Sequence, residues 1–81
     1  MTDEQLVKAY AQGNNDAFDI ILKRHQDRVY SYILRIIKNE DIANDIFQDT
    51  FMKAIVTIRQ GRYTDSGKFP AWISRIAHNL I

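Results

Sequence analysis

The last third of the chain, RQGRYTDSGKFPAWISRIAHNLI, gathers residue types that can hold an unpaired nucleobase. Single-stranded nucleic acid is bound by positive charge along its backbone and by aromatic or pocket-forming groups that accept unstacked bases, each stack being worth roughly 1–3 kcal/mol. Arg59, Arg62, Lys68 and Arg75 can meet phosphates, and Tyr63 can stack on a base. The backbone of Asp65-Ser66-Gly67 can close around a base edge, with Asn79 placed to hydrogen-bond it. Trp72 is in phase with Phe69, Ile73 and Ile76 and reads as a core residue.

A second constellation precedes the first. On a helix, steps of about 100° bring Asp41, Asp45, Gln48, Asp49, Met52 and Val56 onto one face, opposite an apolar stripe. Three aspartates around a glutamine, followed by two apolar residues, suit a docking surface for a basic partner helix with an apolar centre. The same residues also suit a solvated helix face, because aspartates are favoured near a helix N-terminus by the macrodipole. Composition alone leaves both readings open.

Enzyme chemistry finds little support. His25 and His78 lie far apart with no H-E-x-x-H spacing, and the chain has no cysteine, so neither a metal site nor a disulfide framework is expected. No glycine-rich phosphate loop follows a strand, and no serine has a histidine and an acid at suggestive spacing. We expect a non-enzymatic protein that needs no cofactor. His25 falls in the apolar series of its helix and reads as a hydrogen-bonded core histidine.

The elements that position these groups follow from periodicity. Thr2 and Gln5 have capping-box spacing before Leu6, Val7 and Tyr10, which gives a short first helix ended at Gly13-Asn14. From Asn15, the residues Phe18, Ile21, Leu22, His25, Val29, Tyr32, Ile33, Ile36 and Ile37 mark the inner face of a long second helix. Asn39 can cap a third helix whose inward stripe is Ile42, Ala43, Ile46, Phe47, Thr50, Phe51, Ala54, Ile55 and Ile58. Residues 61–68 read as a loop, and Pro70 suits the first position of a last helix. No strand pattern or repeat is present. The expected fold is all-α, a compact bundle of four helices, with the two long ones antiparallel.

At 81 residues the chain can build one small core, and 46% hydrophobic residues are enough for it to fold. Net charge is only +1, but its distribution is polar: Asn39 to Met52 holds four acids and no base, whereas Arg59 to Ile81 holds four bases and one acid. The start, MTDEQLVKAY, lacks the basic and apolar regions of a secretory signal. No stretch approaches the roughly 18 apolar residues of a membrane span. Together with the missing cysteines, these features lead us to expect a cytoplasmic protein without membrane insertion.

Three blocks, taken in order, resemble region 2 of the bacterial sigma factors, particularly the extracytoplasmic-function (ECF) type. LVKAYAQGNNDAFDIILKRHQDRVYSYILRII is similar to that group's first segment, DIANDIFQDTFMKAI to its core-binding helix, and KFPAWISRIAHNLI to its promoter-reading helix, with the pattern F-x-x-W-I/L-x-x-I-A-x-N. The resemblance covers residues 1–81. It implies that Asp45, Gln48 and Asp49, with Met52 beside them, dock on the coiled-coil clamp helices of the largest subunit of the RNA polymerase core. It further implies that residues 59–68 and the following helix capture bases flipped from the non-template single strand of the minus-ten promoter element. That role carries over to Asn79 and to Arg62, Tyr63, Ser66, Lys68 and Arg75. Asp49 stands where many members have glutamate.

The family normally adds a helix-turn-helix domain after a linker, which the sequence lacks, so the chain reads as a piece of a longer protein. An anti-sigma factor is a further expected partner. The rival reading is a helical interaction module that serves such a regulatory partner without recognising DNA.

Overall fold

The computed structural model describes residues 1–63 and 67–81, and Ser66 of the expected base-binding loop falls outside them. The described residues form four helices: α1 (Asp3–Ala11), α2 (Asn15–Ile37), α3 (Glu40–Arg59) and α4 (Phe69–Leu80). They contain no strand.

Local chemistry fixes the ends of these helices. Thr2 and Gln5 form the reciprocal capping box, the Gln5 N–H donating to Thr2 Oγ1 at 3.2 Å and the Thr2 N–H to Gln5 Oε1 at 2.8 Å. Asn39 caps α3 by accepting the Ile42 N–H at 3.1 Å. Both α1 and α3 end in the same hydrogen-bonded motif. After α1, the Gly13 and Asn14 amides return to the Tyr10 and Ala9 carbonyls; after α3, the Gly61 and Arg62 amides return to Ile58 and Thr57. That 6→1 and 5→2 pairing is a Schellman motif, and it needs the left-handed backbone that Gly61 supplies at φ +70°. The α2 terminus reaches the same conformation without a glycine, at Lys38, φ +59°.

The helix α4 begins one residue before the expected start. Phe69 opens it and Pro70 takes the second position, where its missing N–H is still among the unsatisfied donors of a first turn.

The core is drawn from all four helices, with Leu6, Ile21, Val29, Ile33, Ile58, Phe69 and Ile73 almost fully buried. Ala43, Ala54 and Ala77 are completely buried as well, small side chains that let neighbouring backbones approach closely. Three residues expected on inner faces are exposed: Leu80, in the last turn of α4 and expected to share the stripe of Phe69, Ile73 and Ile76, and two further isoleucines. Ile42 is 49% exposed, because 100° steps put it roughly 130° from the centre of the buried α3 stripe. Ile36 is 46% exposed, whereas Ile37, the next residue in the final turn of α2, is half-buried against the core, so at this end the inner face has turned past Ile36.

Two buried polar residues are satisfied. The Thr50 hydroxyl donates to the Ile46 carbonyl at 2.7 Å. His25 sits against Phe69 and donates through Nε2 to Asp3 Oδ1 at 2.9 Å, tying α2 to the first turn of α1. Burial alone would raise the Asp3 carboxyl, but hydrogen bonds from His25 and Arg24, reinforced by their charge, outweigh it and hold the group below its ordinary value.

Candidate functional site

The acidic stripe occupies the solvent face of α3. Asp41, Asp45, Gln48, Asp49, Met52 and Val56 are all exposed, Met52 at 63% and Val56 at 51%. Among the described residues, none of the three aspartates forms an ion pair. The arrangement combines uncompensated negative charge with exposed apolar surface, which a simple solvated face does not need.

Beside this stripe lies an open groove of about 390 Å³, lined from α2 by Phe18, Asp19 and Leu22 and from α3 by Phe47, Gln48, Phe51, Met52 and Ile55. Sequence reasoning placed its candidate docking residues on α3 alone. That Asp19 and Leu22 line the groove depends on the lateral register of α2 against α3, and no local pattern encodes it.

The basic surface is built on α4 and its approach. Steps of about 100° put Lys68, Ala71, Arg75, His78 and Asn79 within one arc, and all five are exposed. Arg62 is exposed just after α3. Tyr63 has a different setting from Arg62: it is half-buried, edge-on to Trp72 at 4.7 Å and 84°, with Phe69 at 6.2 Å. Its ring belongs to an aromatic cluster that anchors the chain between α3 and α4. Trp72, read as core, is half-buried at the edge of this cluster and packs on Phe69.

Arg59 also has a structural engagement. Its guanidinium Nε donates to the Tyr10 hydroxyl at 3.0 Å, and the group stands over the same ring at 5.5 Å. A pair that sequence reasoning did not find joins α2 to the basic face: Tyr32 Oη lies 3.1 Å from His78 Nδ1. These residues are 46 positions apart, so no spacing rule connects them.

Among the described residues there is no group of three or more His, Cys, Asp or Glu side chains able to hold a metal ion. Nor is any of the described helices long and apolar enough to cross a membrane.

Comparison with known proteins places this all-helical bundle, with its acidic α3 face and separate basic helix, in a family. The model of the family "Sigma-70 region 2" matches residues 21–81, and the chain belongs to that family. It is 34% identical to the ECF RNA polymerase sigma factor SigW of Bacillus subtilis over 99% of this chain and 42% of SigW. It is likewise 34% identical to the ECF RNA polymerase sigma-E factor of Haemophilus influenzae over 98% of this chain and 40% of that protein. With the RNA polymerase sigma factor CarQ of Myxococcus xanthus it shares 33% identity over 90% of this chain and 41% of CarQ. The chain thus spans about two fifths of the length of these relatives, and it is a region 2 domain of the ECF type. Among solved structures none matches significantly.

Proposed function

We propose that this domain docks on the clamp helices of the RNA polymerase core through the α3 stripe and captures bases of the non-template strand of the minus-ten element along residues 59–68 and α4. One observation carries the reading: an unpaired acidic stripe continued by exposed Met52 and Val56, and a basic helix face, occur as separate surfaces of one small bundle. Asp45, Gln48, Asp49 and Met52 meet the polymerase. Arg62, Lys68 and Arg75 neutralise phosphates, and Asn79 reads a base edge. Tyr63 and Ser66 complete the loop side of the capture site. Unpairing a base costs a few kcal/mol, which the protein recovers only for a base that fits, so selective binding of the open strand drives local melting without any bond being made or broken. The whole initiation factor would act in the cytoplasm, where an anti-sigma factor could compete for these surfaces.

Two measurements test this. Asp45→Arg with Asp49→Arg should weaken binding to a clamp-helix fragment by at least about tenfold while helical content is kept, since like charge replaces attraction at a desolvated contact. Asn79→Ala should weaken binding to a single-stranded minus-ten oligonucleotide more than to a shuffled one. Unchanged clamp affinity in the first case, or equal losses in the second, overturns the corresponding half of the proposal.

A further inference from the structure

Both ends of the connection between α3 and α4 are gripped by α1, a helix that carries none of the residues proposed to meet DNA or polymerase. At the departing end, Arg59 Nε donates to the Tyr10 hydroxyl at 3.0 Å, and the guanidinium stands 5.5 Å from the centre of that ring. Tyr10 is itself buried and packs on Phe18 with ring centres 5.1 Å apart, so its hydroxyl is a fixed point. At the arriving end, Asp3 Oδ1 accepts from His25 Nε2 at 2.9 Å and from Arg24 Nη1 at 3.0 Å. The imidazole held in this way lies against Phe69, the first residue of α4, at 5.1 Å between ring centres. Gly67 passes the same turn of α1, since a Cβ built there would come to 4.0 Å from Glu4 Oε1.

We infer that α1 is a strut for the base-capturing segment, with Tyr10 and Asp3 as positioning residues that fix its two ends, through Arg59 and through His25 and Phe69, without touching DNA. The inference rests on the base-capture reading given above and extends it to residues outside that surface. Asp3 and Tyr10 stand at opposite ends of α1, roughly 10 Å apart along its axis, so one short rigid element sets the spacing of both anchors. The segment needs such bracing because Gly61 and Gly67, each at positive φ, belong to the least restricted residue type and give its backbone little stiffness. A capture site whose ends wander loses affinity to the entropy of ordering them, and preorganisation removes that loss. Polar ties suit the task because a satisfied buried hydrogen-bond network fixes one arrangement, whereas apolar packing has no preferred direction. From Phe69 the constraint passes to Trp72 at 5.6 Å and to Tyr63, the expected stacking residue, at 6.2 Å.

The test compares binding of this domain to a single-stranded minus-ten oligonucleotide, a shuffled one and a clamp-helix hairpin peptide, well below the unfolding midpoint of each variant. Tyr10→Phe keeps the ring and loses only the hydroxyl, and Asp3→Ala removes the acceptor of His25. Each should lower minus-ten affinity severalfold while the other two affinities hold. Asp3→Ala should also shift the emission of Trp72, the single tryptophan of the chain, with no DNA present. Asp3→Asn keeps an oxygen for the His25 N–H and should restore the minus-ten preference that Asp3→Ala loses, although it lacks the charge. Parent-like preference in Tyr10→Phe and Asp3→Ala, an unmoved Trp72 emission, or equal losses for all three ligands overturns the strut while base capture stands. A parent domain that binds both oligonucleotides equally removes the base-capture reading and the strut with it.

Discussion

His25 Nε2 lies 2.9 Å from Asp3 Oδ1, and Arg24 Nη1 lies 3.0 Å from the same oxygen, so one carboxylate of α1 holds two consecutive residues of α2. The depressed pKa of Asp3 makes this junction sensitive to acid. A group whose folded pKa lies below its unfolded value contributes stability above the unfolded value and loses it as pH falls through the folded one. The parent should therefore exceed Asp3→Asn in urea resistance at about pH 5, and the gap should narrow steadily toward about pH 2. A gap that is constant across this range would mean that the charge of Asp3 contributes nothing.

Lys38 adopts a left-handed backbone that glycine reaches at no steric cost. Since it sits at an exposed C-cap, Lys38→Gly should raise stability by up to about 1 kcal/mol, and Lys38→Asn by less. Thermal denaturation reads the change directly, and a lowered midpoint for glycine would contradict the cap argument.

Phe69 is fully buried and touches His25, Tyr63 and Trp72. Truncation to alanine should cost about 3–5 kcal/mol, a large share of what a domain of this size possesses. Phe69→Leu keeps more of the volume and should leave the bundle folded. Its Tyr63 ring signals should nonetheless move, because the packing beneath that ring has changed.

The Tyr32–His78 hydrogen bond secures the last turn of α4, next to Asn79. Tyr32→Phe removes the hydroxyl alone and should reduce discrimination between minus-ten and shuffled oligonucleotides severalfold, with clamp-peptide affinity unchanged. Such selectivity loss separates a positioning effect from general destabilisation, which would lower both affinities together.

How much of this was legible in the sequence depended on range. Caps and turns were readable, because Thr2 with Gln5, Asn39, Gly13 and Gly61 act on amides only a few residues away. The inner faces were readable wherever a helix has neighbours along its length, and His25 was placed correctly as a hydrogen-bonded core residue. Ile36 failed because the buried face drifts round a long helix, so that Ile37 and not Ile36 meets the core in the last turn of α2. Ile42 failed because a residue beside a stripe was counted in it. The surfaces behaved likewise: the α3 stripe is one helix face and could be read from spacing. The groove and the Tyr32–His78 pair need two helices in register, and Arg59 was diverted from the basic edge by Tyr10, 49 residues away.

Gly61 ends the same uninterrupted helix that carries Asp49. Each residue of α-helix advances about 1.5 Å and turns about 100°, so the helical stretch from Asp49 to Arg59, just before Gly61, is a rigid ruler of about 15 Å. A molecule gripping α3 at its acidic end thereby aims the departure point of the basic segment. Lengthening the ruler by one residue would swing that aim by more than a quarter of a circle, leaving both ends chemically intact but facing the wrong way for one another.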